Sequence, residues 1–196
     1  WSKLKNNLSM LVDNMIWQDF PQSTNKCLQG EAESPVDEFL LGQINIATEN
    51  RGFLQPTNLQ EYRDMGGFKA LEKCLRDFSP REIVDILKDC GLRGRGGGGF
   101  PTWKKWEQVQ NSPETLKYVI CNGDEGDPGA FMDRMLLESY PFRVIEGVLI
   151  AAYATGAREG LFYIRAEYPL AVKRINEAIY LCQKANLLGG KILGFD

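Results

Sequence analysis

In Lys117-Tyr118-Val119-Ile120-Cys121-Asn122-Gly123-Asp124-Glu125-Gly126-Asp127-Pro128-Gly129, a short β-rich run gives way at once to a polar turn rich in glycine. Tyr, Val and Ile suit a pleated strand, and the Gly and Pro that follow stop one. Beyond the turn, Phe131 to Ser139 and Phe142 to Ala157 read as helices. Leu161-Phe162-Tyr163-Ile164 is a second apolar run, continuous in the way expected of a strand buried on both faces. Pro169 opens a last helix with a stripe of Val172, Ile175, Ile179 and Cys182, and Gly189-Gly190 is the expected end of it. Strands alternating with helices imply an α/β fold with a parallel sheet.

Upstream, Ser79-Pro80-Arg81-Glu82 is a strong helix start, with Ser79 as N-cap, Pro80 in the first turn and Glu82 closing a capping box. Ile83, Ile86 and Leu87 give that helix its expected buried stripe, and Gly91 its end. Leu59 to Phe78 reads as one earlier helix with Gly66-Gly67 near its middle, and Phe39, Leu40 and Ile44 share a helical face. Residues 1–35 carry a stripe of Leu4, Leu8, Leu11 and Met15 and then an aperiodic polar stretch. The expected organisation is an N-terminal arm or linker over 1–35, a helical lead-in over 36–92 and an α/β domain over 93–196. Ile192-Leu193 begin a further apolar segment, so the domain is expected to be truncated at its C-terminus.

Composition narrows the chemistry. The 196 residues are 43% hydrophobic and carry a net charge of −3, without the basic footprint of a nucleic-acid binder. No apolar run approaches the roughly 18 residues that span a bilayer; Val144 to Ala154 is shorter and is broken by Glu146 and Gly147. There is no histidine, which excludes Ser-His-Asp and Cys-His nucleophile pairs within this chain. Five scattered cysteines form no C-x-x-C pair, so neither a four-thiolate metal site nor a secreted disulfide framework is expected. A reducing cytoplasm fits them best.

Gly94-Arg95-Gly96-Gly97-Gly98-Gly99-Phe100-Pro101 satisfies G-x-G-x-x-G literally, but a helix precedes it where the dinucleotide fingerprint requires a strand. No Gly-Lys-Ser/Thr follows, so it is not a P-loop. Five glycines in six residues allow close backbone approach and aim successive N–H groups at an anion. Arg93, Arg95, Lys104 and Lys105 add positive charge, and Phe100, Trp103 and Trp106 frame the loop. Phosphate binding is favoured over a flexible hinge.

The acidic turn leaves the C-terminal end of a strand, where open α/β sheets bind ligands. Asp124, Glu125 and Asp127 are suited to a divalent cation, although the EF-hand spacing fails, or form a solvated turn. The Asn122 amide both donates and accepts, which suits a heterocycle edge. A glycine cradle paired with carboxylates suggests a nucleotide with phosphate at one end and sugar or base at the other.

Gly91-Leu92-Arg93-Gly94-Arg95-Gly96-Gly97-Gly98-Gly99-Phe100-Pro101-Thr102, with Lys105-Trp106, resembles the flavin loop of the NADH-binding flavoprotein subunit of respiratory complex I. Relatives of that subunit occur in NAD(P)-linked FeFe hydrogenases and NAD-dependent formate dehydrogenases. Asn122 to Arg134 and Tyr163-Ile164-Arg165-Ala166-Glu167-Tyr168-Pro169 resemble the family's next two motifs, in order, over residues 43–196. Asp127 and the Arg-Ala-Glu-Tyr-Pro string look more like the hydrogenase and formate dehydrogenase branch.

The resemblance implies a Rossmann-like parallel sheet with flanking helices, preceded by a helical N-terminal region, as an incomplete fragment of a longer subunit. It implies FMN, with NAD(H) stacked on it. By position, Gly94, Gly96, Lys105, Asn122 and Asp124 contact FMN, while Gly97, Phe100, Glu125, Asp127, Tyr163 and Glu167 line the pocket or meet NADH. Arg95, Gly99 and Ala166 complete the expected cofactor-binding set. No catalytic side chain and no metal ligand is expected, because hydride transfer from nicotinamide to flavin and electron release to iron–sulfur clusters are cofactor chemistry. The implied partners are iron–sulfur electron-transfer subunits, one thioredoxin-like with a 2Fe–2S cluster and one larger and catalytic. A 4Fe–4S cluster is expected only in the missing C-terminal part or in partner chains. The implied location is cytoplasmic or peripheral to a membrane complex. Trp103 and Gln108 depart from the family's usual glycine and aromatic, which leaves a second reading: a truncated or split relative serving as an interaction module without productive flavin binding.

Overall fold

The computed structural model describes Ile44, residues 46–49 and residues 54–195. The expected arm over 1–35 and the face at Phe39 and Leu40 lie outside the described residues. Among the described residues the order is α1 (Leu59–Asp64), α2 (Lys69–Asp77), α3 (Pro80–Asp89), α4 (Thr102–Gln110), β1 (Tyr118–Gly123), α5 (Met132–Ser139), α6 (Pro141–Thr155), β2 (Glu159–Ile164) and α7 (Pro169–Lys184). β1 and β2 pair in parallel, Tyr118 opposite Glu159 and Asn122 opposite Tyr163. The α/β class with a parallel sheet and flanking helices is therefore observed.

α6 is the hub. It packs against α2, α3, α4, α5, α7 and both strands, which explains why its sequence is apolar on nearly every side. Phe142 and Ile145 from α6 join Leu54, Tyr62, Phe68 and Leu71 upstream and Ala178, Cys182 and Leu187 downstream in one buried cluster. A second cluster sets Leu137, Tyr168, Ala171 and Ile175 against Cys121, Phe162 and Ile164, on the inner face of the sheet.

Among the described residues nothing packs on the outer face, contrary to the expectation that Leu161 to Ile164 is buried on both sides. Ile120 is 61% exposed, Leu161 51% and Tyr163 59%. The physical reason is topological: α5, α6 and α7 all pack on the inner face, so among the described residues every second residue of each strand has no helical layer above it.

The helix expected over Leu59 to Phe78 is broken into α1 and α2. Gly66 (φ +94°) and Phe68 (φ +63°) both leave the helical region, and the break turns the start of α2 toward Glu146. Phe68 offers α2 no side-chain cap. Instead the buried Glu146 carboxylate, reaching across from α6, accepts the Phe68 N–H at 2.9 Å and the Leu71 N–H at 3.1 Å. It also accepts the Tyr62 hydroxyl at 2.6 Å; burial, then Glu146, pushes that phenol well above the usual tyrosine range. The Tyr62 ring lies edge-on to Phe68 and stacked with Phe142. A Cβ at Gly67 would stand 2.2 Å from this ring and 2.6 Å from the Tyr62 carbonyl. Gly67→Ala is expected to cost about 3 kcal/mol, the upper end for overpacking, measured by chemical denaturation.

Local signals in α3 behave as expected. Ser79 and Glu82 form the capping box, the Ser79 N–H and hydroxyl each 2.7 Å from the Glu82 carboxylate, which they hold below the usual carboxylate range. Gly91 takes φ +68° after the last turn. The buried side, however, is Ile83 and Val84, with Ile86 exposed, because α6 and α4 flank the helix from that direction. α7 likewise buries Ala171, Ile175, Ala178 and Cys182 and leaves Val172 partly exposed. It ends at Lys184, well before Gly189-Gly190. Asn186 takes the left-handed conformation (φ +55°), and the Leu187 N–H closes on the Cys182 carbonyl at 2.8 Å.

Candidate functional site

Parallel pairing brings both strands to an end at one edge, where Gly123 faces Ile164. Asn122 and Tyr163 stand opposite each other there, both exposed on the bare outer face. A ligand meeting both side chains therefore approaches from the outer face, away from α5 and α6.

Two turns extend from this edge. After β1, the Asn122 side-chain oxygen accepts the Asp124 N–H at 2.9 Å, an Asx turn that starts the bend. Glu125 then folds back: one carboxylate oxygen accepts the Asp133 N–H at 3.1 Å and the other the Arg134 N–H at 3.2 Å. It thereby caps α5, whose own N-cap, Phe131, supplies no side-chain acceptor. Burial, then Glu125, pushes the Asp133 carboxyl above its ordinary value. Behind the turn, burial first and Asp133 second push the Cys121 thiol up to about 11, which favours the neutral thiol over the thiolate. Asp124 and Asp127 are exposed, and no hydrogen bond or ion pair holds either carboxylate among the described residues.

After β2, Arg165 donates to the Glu125 carbonyl and pairs with the exposed Glu167 at 3.2 Å. Ala166, between them, is exposed. The Tyr168 hydroxyl lies 3.3 Å from both the Glu125 carbonyl and its carboxylate. Arg165 and Tyr168 lie inside the motif Tyr163 to Pro169 but are absent from the expected cofactor-binding set; their contacts with Glu125, 40 and 43 residues away, are what bring them to the site.

The glycine loop is built separately. Its neck is closed by Thr102 N–H to Leu92 carbonyl (3.0 Å), Gly94 N–H to Phe100 carbonyl (2.9 Å) and the Arg93 guanidinium to the Gly99 carbonyl (2.9 Å). Arg95, Gly96, Gly97 and Gly98 project beyond the neck, exposed. Among the described residues no acceptor takes the N–H groups of residues 95–99. Gly97 has φ +99°, and a Cβ at Gly96, Gly97 or Gly98 would meet nothing within 4 Å. α4 leaves the loop without a side-chain N-cap, so free donors and a helix N-terminus lie together. Lys105 stands 5.7 Å over the exposed Phe100 ring, while Lys88 and Lys104 stand over Trp103 at 5.1 and 5.5 Å.

α4 fixes this loop relative to the sheet. The Gln110 amide in its last turn donates to the Ala154 carbonyl of α6 at 2.8 Å, and Lys117 donates to the Gln110 carbonyl at 3.0 Å. Both α4 and α6 therefore end near the edge where the strands begin. Among the described residues no hydrogen bond or ion pair joins residues 94–99 to residues 122–127 directly. No group of three or more His, Cys, Asp or Glu is disposed to hold a metal ion, and no helix is long and apolar enough to cross a membrane, again among the described residues.

The profile of the Nuo51 FMN-binding domain family matches residues 87–190. The NADP-reducing hydrogenase subunit HndC of Solidesulfovibrio fructosivorans is 48% identical over 152 residues, covering 78% of this chain and 31% of that protein. An NADH-quinone oxidoreductase subunit of Escherichia coli is 42% identical over 141 residues, covering 71% and 32%. A chain in the crystal structure of an air-oxidized NAD+-reducing NiFe-hydrogenase superposes with a TM-score of 0.56 at 34% identity, covering 65% of this chain and 23% of that one. The chain spans about a third of the length of these curated relatives.

Proposed function

Since this chain belongs to the Nuo51 FMN-binding domain family, we propose that its glycine loop and the strand-end edge of its sheet bind FMN and receive NAD(H). The chain is then the nucleotide-binding portion of an NAD(P)H:acceptor oxidoreductase, a diaphorase flavoprotein subunit. The observation that carries this reading is the exposed set of N–H groups at 95–99, uncommitted to any acceptor among the described residues and set ahead of an uncapped helix. Such an array fits a phosphate group.

The remaining residues fit the rest of the molecule. Gly94, Gly96, Gly97 and Gly99 keep side chains out of the cradle, and Arg95 and Lys105 bring charge to it. Asn122 and Asp124 meet the flavin nucleotide from the sheet edge. Phe100, Asp127, Tyr163, Ala166 and Glu167 face the nicotinamide nucleotide, with Phe100 offering an exposed ring for stacking. Glu125 belongs to the set through the turn it shapes, since its carboxylate is occupied at the start of α5.

The chemistry supplied by bound FMN is hydride exchange with nicotinamide and single-electron exchange with an iron–sulfur acceptor. The chain's own residues position, orient and charge-match; none needs to act as nucleophile or proton shuttle, which accords with the absence of histidine. The proposed partners are iron–sulfur electron-transfer subunits of a multisubunit complex, located in the cytoplasm or at a membrane periphery.

The direct test is a flavin absorbance and fluorescence titration of the purified chain with FMN. Uptake of one FMN per chain is expected, and a chain that takes up none overturns the reading. Lys105→Met is expected to weaken FMN by about 1.5–3 kcal/mol through loss of a charge-assisted contact. An unchanged affinity would remove Lys105 from the site.

A further inference from the structure

We propose that Arg165 and Tyr168 are positioning residues which lock the Glu125 turn and so present Asp124 and Asp127 to the nucleotide; this rests on the FMN reading above. Neither residue touches the ligand in this proposal. Both act through Glu125.

Glu125 is held from three directions. Its carboxylate takes two N–H groups of the first turn of α5, from Asp133 and Arg134. Its carbonyl accepts from the Arg165 guanidinium, which arrives from the end of β2. The Tyr168 hydroxyl, from the start of α7, lies 3.3 Å from the same carbonyl and 3.3 Å from the carboxylate. The Tyr168 ring is itself held, with the Cζ atoms of Arg134 and Arg165 each 5.4 Å from its centroid. A single residue of the turn after β1 is thus tied to α5, β2 and α7. The carboxylates on either side of it, at 124 and 127, remain exposed. A rigid central residue flanked by two open acids is the arrangement expected of a mount and the groups it carries.

Arg165 also acts through charge. Its Nε pairs with Glu167 at 3.2 Å, so of the four carboxylates in the two strand-end turns, at 124, 125, 127 and 167, those of Asp124 and Asp127 stand without a counter-charge or donor among the described residues, and both are exposed, unlike the half-buried Asp133 behind them. The ligand is itself anionic, and each further uncompensated carboxylate would repel its phosphates. Arg165 leaves Asp124 and Asp127 open for hydroxyl or amide recognition and offsets the charge of Glu167, which keeps its place at the nicotinamide nucleotide with less repulsion toward the phosphates.

The test compares wild type, Arg165→Met, Arg165→Lys and Tyr168→Phe in the full chain, by amide hydrogen exchange without FMN and by FMN fluorescence titration. Arg165→Met is expected to raise exchange over residues 124–130 and at Asp133 while leaving α3 and α4 unchanged, and to weaken FMN about tenfold. Arg165→Lys keeps the charge but loses the fork; it is expected to recover part of the affinity, as a purely structural role would not require. Tyr168→Phe keeps the buried ring and loses only the hydroxyl, and is expected to shift both readouts less in the same direction. Unchanged exchange over 124–130 in Arg165→Met overturns the lock. Raised exchange with undiminished FMN affinity overturns its link to the ligand. A wild-type chain that takes up no FMN sinks the flavin reading instead, and the exchange arm still decides the lock.

Discussion

Glu146→Ala is expected to lower the stability of the chain by about 3–5 kcal/mol, the range found when a buried polar network loses its central member. Glu146 is only 7% exposed and receives two backbone N–H groups and a phenol hydroxyl from residues 75 to 84 positions away in sequence. Truncation leaves all three donors buried without an acceptor, in a place too tightly packed by Phe68, Leu71 and Phe142 for water to replace the carboxylate freely. It also removes the side chain that caps α2 in place of its own N-cap. For a chain of this size such a loss is a large share of the whole unfolding free energy. Glu146→Gln returns one acceptor oxygen and is expected to lose about 1–3 kcal/mol. Urea or thermal unfolding measures both variants. An alanine variant within about 1 kcal/mol of wild type, the worth of a single ordinary hydrogen bond, would show that the α1–α2 lead-in is not anchored through this carboxylate.

Gly96→Val separates folding from ligand binding. The Gly96 φ lies outside the left-handed region, and a Cβ there meets nothing within 4 Å, so the variant is expected to fold within about 0.5 kcal/mol of wild type. The FMN phosphate, by contrast, must approach the main chain to about 2.7–3.2 Å. A branched side chain in the mouth of the loop denies it two or more N–H contacts, about 3 kcal/mol or roughly a hundredfold in affinity. Flavin fluorescence titration beside a thermal melt reads the two effects separately. A variant with normal melting and full flavin retention would move the phosphate site elsewhere on the chain. Gly97→Val is a poorer probe, because φ +99° adds backbone strain to the steric effect.

The parts legible in the sequence are those whose physics is local. Ser79, Pro80 and Glu82 cap α3 through bonds spanning three residues, so three letters suffice to place the helix start. The β-rich runs and the helices between them are equally local, and their alternation carries the α/β class. The glycine loop declares its backbone freedom directly in composition, and the acidic turn its position after a strand.

The readings that changed depend on distant partners. Gly66-Gly67 in a helical pattern is tolerated or breaking according to context; here it breaks because Tyr62 and the start of α2 converge on Glu146. Within Val144 to Ala154 that same glutamate reads only as an interruption of an apolar run, yet it is the anchor of α2. Glu125 stands among three apparently equivalent carboxylates, and only the placement of α5, β2 and α7 around it distinguishes a helix cap from the open acids at 124 and 127. The outer face of the sheet makes the same point: apolar letters in Leu161 to Ile164 specify a strand but not how many of its faces are covered.

By itself the sequence determined the alternation of strands and helices from residue 118 onward, the capped start of α3, the loop able to expose its amides and the lack of a histidine within this chain, because each follows from residues within a turn or two of one another. Only the tertiary structure decided which carboxylates are occupied, which face of the sheet is open at Asn122 and Tyr163, and which helix starts depend on a glutamate from elsewhere. Burial and hydrogen-bond satisfaction are settled by whatever packs alongside, and what packs alongside is far away in the chain.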